Sequence, residues 1–155
     1  MTVSIYSRKA AEDLFRNNFV EGTAVISFHD PPSPSGKKVL PPIDYTGKAT
    51  RVFQVAVHDI DLSVLPKYDL TYDTYFPEAD DLAKFIYSAK LDGLDIICQC
   101  EYGESRSSAC AAAILEHFSK NGISIFADYR YYPNQVVYHK VFDALEKYQR
   151  SVESS

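Results

Sequence analysis

The apolar positions of this chain fall into short blocks that alternate between strand-like runs and helix-like spacing. Val3 to Tyr6 (VSIY) reads as a short strand, Ser7 as a helix cap, and Ala10, Ala11, Leu14 and Phe15 as one face of the helix that follows. Thr23 to Phe28 (TAVISF) has the continuous apolar character of a buried strand. The segment from Asp30 to Thr50 then carries five of the eight prolines and is expected to be a long surface loop. Arg51 to Val57 (RVFQVAV) alternates as a further strand and ends in the acidic turn His58-Asp59-Ile60-Asp61. Leu62 to Tyr75 keeps no clean period and reads as an extended connection, a candidate lid. Pro77 opens a helix to about Ala89, striped by Ala79, Leu82, Ala83, Phe85 and Ile86, and Asp92-Gly93 ends it. Leu94 to Cys100 (LDIICQC) is a short strand, and Ser105 to Ser119 is an alanine-rich helix closed by Asn121-Gly122. A last helix from about Pro133 to Arg150 buries Val136, Val137, Val141, Phe142 and Leu145. Strands alternating with helices predict an α/β fold, a largely parallel central sheet flanked by helices, with strand order left open.

Composition narrows this picture without changing it. The chain has 155 residues, 46% hydrophobic and 24% charged, which suits one domain spanning residues 1–155. A net charge of −5 gives no basic footprint for nucleic acid or an anionic membrane, so neither is expected as a partner. The N-terminus reaches Arg8 and Lys9 without a secretory apolar core, and no stretch approaches the length of a membrane span, which points to the cytoplasm. Of three cysteines, Cys98 and Cys100 are one residue apart, a spacing better suited to reduced thiols with chemistry than to a disulfide framework.

The chemistry concentrates between the strand at 94–100 and the helix from 105, in Cys-Glu-Tyr-Gly-Glu-Ser-Arg-Ser, Cys100 to Ser107. A loop entering a helix N-terminus turns several backbone N–H groups inward and adds the positive end of the helix dipole, which together cradle a phosphate. Gly103 allows the sharp turn that leaves those amides free. A thiol at the base of the cradle feels the same field, so Cys100 is expected to be a thiolate nucleophile at neutral pH. Arg106 offers a planar fork for two phosphate oxygens, and Ser107 can donate to the Cys100 sulfur when it leaves. Glu101, Tyr102, Gly103, Glu104 and Ser105, with Arg106, are the candidate substrate-binding residues.

At these residues the sequence resembles the cysteine-based protein tyrosine and dual-specificity phosphatases, most closely their small single-domain bacterial and phage-type members. Three further stretches fit: the opening strand and helix with TAVISF and its proline loop, the turn Val-Ala-Val-His-Asp-Ile-Asp ending at Asp61, and Arg130 to His139 (RYYPNQVVYH). The resemblance implies a phosphotyrosine protein phosphatase-like α/β fold and two-step hydrolysis through a cysteinyl-phosphate, with no metal and no cofactor. It also implies a general acid on a loop upstream of the nucleophile. Asp59 is the first choice, just past the C-terminal end of the strand 51–57 where parallel sheets place their sites. Asp61 is its rival, with Asp69 and Asp73 as further alternatives. One departure stands out: the family usually has histidine before the nucleophile, and this chain has Gln99. Glu101 and Glu104 add no positive potential for a multiply phosphorylated ligand, which argues against inositide and RNA-end substrates.

The remaining candidates have plainer readings beside the functional ones. Cys98 shares a strand face with Cys100, so it is either a resolving thiol for an oxidised nucleophile or a small core residue, and Cys110 is read as packing. His58 either tunes Asp59 or belongs to the turn. His29, His117 and His139 lack ligand spacing, so no metal site is expected. Tyr68, Tyr72, Tyr75, Tyr102, Tyr129, Tyr131 and Tyr132 fall in predicted loops, where some can wall a pocket for an aryl phosphate. The expected partner is a phosphorylated protein or a small aryl phosphate, with oligomeric state open. The competing functions are an inactive phosphatase-like binding module and a sulfurtransferase or arsenate reductase using the same loop.

Overall fold

Among the described residues, β1 (Val3–Tyr6), β2 (Val20–His29), β3 (Ala49–Ala56) and β4 (Asp95–Gln99) run parallel in one sheet of order β1-β4-β2-β3. The computed structural model describes residues 1–32, 36 and 38–154. Of the expected proline loop, Ser33, Pro34, Ser35 and Lys37 lie outside the described residues. β4 is an inner strand, pairing Ile97 with Ser4 of β1 and with Val25 of β2, and the cores on both faces of the sheet explain why it reads as a nearly unbroken apolar run.

The pleat sorts the sheet's side chains into two layers. Val25 and Ile97 face α1 (Arg8–Phe15), packing with Ala11, Phe15 and Tyr45. Ala24, Ile26, Phe28, Ile96 and Cys98 face the larger core, built with α2 (Ala79–Leu91), α3 (Arg106–Ser119) and α5 (Gln135–Glu153). α3 is buried continuously from Arg106 to Ile114, because it lies between the sheet and α5. The alanines at 109 and 111–113 make that close approach possible. α5 buries Val136, Val137, Val141, Ala144 and Leu145, a helical stripe against α2 and α3.

Two expectations need correction. Residues Leu62–Tyr68 form a 3-10 helix rather than an extended connection, with Leu65 2% exposed as its anchor in the core and Asp69 in the left-handed region as its stop. Tyr75 falls in a loop as expected, with its ring in the core, 1% exposed, and its hydroxyl donating to the His58 carbonyl. α3 is closed by Lys120 at φ 56°, whereas Gly122 has an ordinary φ of −60° and opens a short extra helix, α4 (Ile123–Phe126), that the apolar pattern does not reveal. No helix among the described residues is long and apolar enough to cross a membrane.

Candidate active site

Cys100 lies immediately past the end of β4, where its backbone N–H still donates to Tyr6 in continuation of the β1 pairing. From there to α3 the chain is pinned from two sides. The Glu101 carbonyl accepts from Arg8 N, while the Glu104 and Ser105 carbonyls accept from Tyr132 N and Asn134 N in the connection before α5. Gly103, at φ +69°, passes so close to the β1–α1 junction that a Cβ there would lie 2.8 Å from Ser7 N. While the Glu101, Glu104 and Ser105 carbonyls are engaged, the N–H groups of Glu101 to Ser105 have no protein acceptor among the described residues. Unengaged amides before a 14-residue helix are what a candidate anion cradle requires.

Three side chains complete the cradle. Cys100 Sγ is 3.0 Å from Ser107 Oγ, and both residues are buried. Arg106 is 4% exposed, and its Nη1 donates to Asp30 Oδ1 and to the Val57 carbonyl, each at 2.8 Å. Burying a guanidinium demands such partners. Its Nε is buried with no partner among the described residues, an unsatisfied donor beside the loop. Arg106 opens onto a cleft of about 350 Å³ lined also by Asp30, His58, Tyr68, Glu101 and Tyr102. Burial and the positive charge of Arg106 push the pKa of neighbouring His29 below 6.5, with Asp30 opposing them.

The four carboxylates weighed as acids are placed differently. Asp59 Oδ1 accepts from Ser105 Oγ at 2.7 Å and from Asn134 Nδ2 at 2.9 Å, which ties it directly to the loop. Asp61 precedes the 3-10 helix without a side-chain cap and lines the same cleft as Asp59, while Asp69 ends that helix. Asp73 lies in the exposed turn beyond. Asp59 does not line the cleft of Arg106 but an adjoining one, with Ser105, Tyr131, Tyr132 and Asn134. The His58 ring packs on Tyr68 with centroids 4.8 Å apart.

No family model matches the chain, and no curated protein matches it by sequence. Solved structures do. The crystal structure of DUSP15 is similar over 98% of this chain and 90% of its own, at 19% identity and a TM-score of 0.58. That of PTPMT1 is similar over 99% of this chain and 96% of its own, at 13% identity and a TM-score of 0.53. A mouse putative dual specificity phosphatase complexed with zinc tungstate matches 97% of this chain with 86% of its own, at 17% identity and a TM-score of 0.51.

The chain has the dual-specificity phosphatase fold.

Within the dual-specificity phosphatase fold the departure at Gln99 is filled rather than empty. Gln99 is 3% exposed, accepts from Ser27 Oγ and Tyr45 Oη, and donates to the Cys100 carbonyl. Cys98 points to the same core as Cys100 and is wholly buried. A hydrogen bond with Cys110, then burial, raises its pKa well above that of a free thiol. That environment matches the core-residue reading of Cys98. Sequence reasoning missed Asp30 and Tyr45. Asp30 carried a signal, an acid one residue past β2 at the same sheet edge as Asp59. Tyr45 carried none, because nothing local marks a loop tyrosine as returning to the sheet.

Proposed function

We propose that this chain is a metal-independent phosphomonoester hydrolase, a protein tyrosine phosphatase acting through a cysteinyl-phosphate intermediate in the cytoplasm. The observation that carries the reading is the convergence on one segment of a thiol paired with a hydroxyl, unengaged amides, and a buried arginine whose Nε has no partner among the described residues. In the first step the Cys100 thiolate attacks phosphorus. The S–P bond forms, the P–O bond to the leaving group breaks, and Asp59 gives its proton to the departing oxygen. In the second step water attacks the phosphocysteine, Asp59 takes its proton, and the S–P bond breaks while Ser107 donates to the departing sulfur. The amides and Arg106 hold the equatorial oxygens throughout, where charge builds in the transition state. Ser105 and Asn134 occupy one oxygen of Asp59 and leave the other to carry the proton. Exposed Tyr102 and half-exposed Tyr68 beside the Arg106 cleft favour a flat aryl ester such as phosphotyrosine.

The test is hydrolysis of p-nitrophenyl phosphate across pH 5 to 8 with a chelator present. The wild type should turn over, Cys100→Ser should be inactive, and Asp59→Ala should lose roughly 10²–10⁴ in kcat, the usual worth of a positioned general acid. Phosphate binding without turnover in the wild type would replace the enzyme by a phosphate-binding module. Full activity in Asp59→Ala would move the acid to Asp61 or beyond.

A further inference from the structure

Directly behind the nucleophile, on the α1 face of the sheet, lies a buried polar cluster that the chemistry above does not use. Ser27 and Gln99 are register partners on β2 and β4, and Ser27 Oγ donates to Gln99 Oε1 at 2.6 Å. Tyr45 arrives from the connection between β2 and β3 and donates to the same oxygen at 2.7 Å. All three residues are nearly inaccessible, at 1%, 3% and 4% exposure. Two hydroxyl donors on one oxygen lock the amide, since the flipped orientation would turn its oxygen onto the Cys100 carbonyl. The locked amide nitrogen donates to that carbonyl at 3.0 Å.

The carbonyl it holds belongs to the Cys100–Glu101 peptide. In a planar trans peptide the C=O and N–H point in opposite directions, so holding this carbonyl back toward Gln99 turns the Glu101 N–H forward into the cradle. We propose that Tyr45 is a positioning residue of the site, fixing through Gln99 the first N–H of the anion cradle. Its assignment rests on the phosphatase reading for its effect on turnover, but not for its effect on the peptide. It also gives the Gln99 departure a physical role: the amide, braced by Ser27 and Tyr45, orients the loop where the family uses histidine. The same hydrogen bonds tie the loop to the β2–β3 connection, whose residues Val39 to Ile43 include several lining the Arg106 cleft.

The experiment compares wild type, Tyr45→Phe, Gln99→Leu and the double variant, each as the full chain, by three readouts. These are KM and kcat for p-nitrophenyl phosphate, the pH profile of Cys100 alkylation by iodoacetamide, and the Glu101 amide resonance during titration with inorganic phosphate. Tyr45→Phe should raise KM by about tenfold, the scale of one hydrogen bond, with a smaller fall in kcat. It should also shift the Glu101 resonance and alter the alkylation profile. In the Gln99→Leu background Tyr45→Phe should add little, because the two act through one amide. If Tyr45→Phe lowers only the melting temperature and leaves all three readouts at wild-type values, or if the effects of Tyr45→Phe and Gln99→Leu simply add, Tyr45 is a packing residue and the proposal is wrong. A wild type that neither hydrolyses the ester nor binds phosphate would defeat the phosphatase reading. The Glu101 resonance in Tyr45→Phe would still decide the positioning role.

Discussion

Gly103 crosses the β1–α1 junction with no room for a side chain and with a backbone angle that L-residues avoid. Gly103→Ala combines a left-handed conformation costing about 1–2 kcal/mol with a Cβ 2.8 Å from Ser7 N, a backbone atom that cannot swing away. The variant should lose at least that much stability in urea titration and bind inorganic phosphate more weakly, since the loop must shift to fit. Wild-type values for both would mean that the loop is softer than its packing implies. At this scale the sequence was most informative where function is local. Cysteine, glycine, arginine and serine within eight residues mark a candidate cradle by themselves. Asp30, 76 positions from its partner Arg106, and Tyr45, 54 positions from Gln99, could not be read that way. Their roles exist only once the sheet brings distant strand ends together.

Among the elements, α5 does more than cover the core. Its cap, Asn134, accepts from Val137 N through Oδ1 and donates through Nδ2 to Asp59 and to the Ile60 carbonyl. One side chain thus starts a helix and aims the candidate acid. Asn134→Ala should cost about 1 kcal/mol for the lost cap and lower kcat as well. Asn134→Ser keeps a capping oxygen but not the amide donor, so it should recover part of the stability while kcat stays low. Recovery of both together would assign Asn134 to the helix alone. The sequence located every strand and the three long helices within a few residues, because each carries either a sustained period or an unbroken apolar run. It missed the 3-10 helix, where Pro66, Asp61 and Asp69 break any apolar rhythm and a single residue, Leu65, supplies the anchor. It missed α4 for a related reason: one turn of helix is too short to show a face.

For the molecule as a whole, His29 ties stability to pH. Its pKa lies below 6.5 in the folded state, first through burial and then through Arg106. As pH falls through that region the unfolded chain binds a proton that the native state refuses, so unfolding becomes easier on the acid side. Stability should therefore be retained above pH 6.5 and decline below it, and His29→Gln should flatten that decline in urea midpoints measured from pH 7.5 to 5. Identical slopes in the two proteins would assign the acid sensitivity to other groups. The pinned loop has a further consequence, for the order in which the chain is made. The loop that begins at Cys100 is held by Tyr6 and Arg8 at one end and by Tyr132 and Asn134 at the other, so most of the polypeptide must exist before the loop is pinned. A nascent chain that already carries Cys100 lacks the contacts that pin its loop, so under the proposed function the site is assembled only when folding is complete.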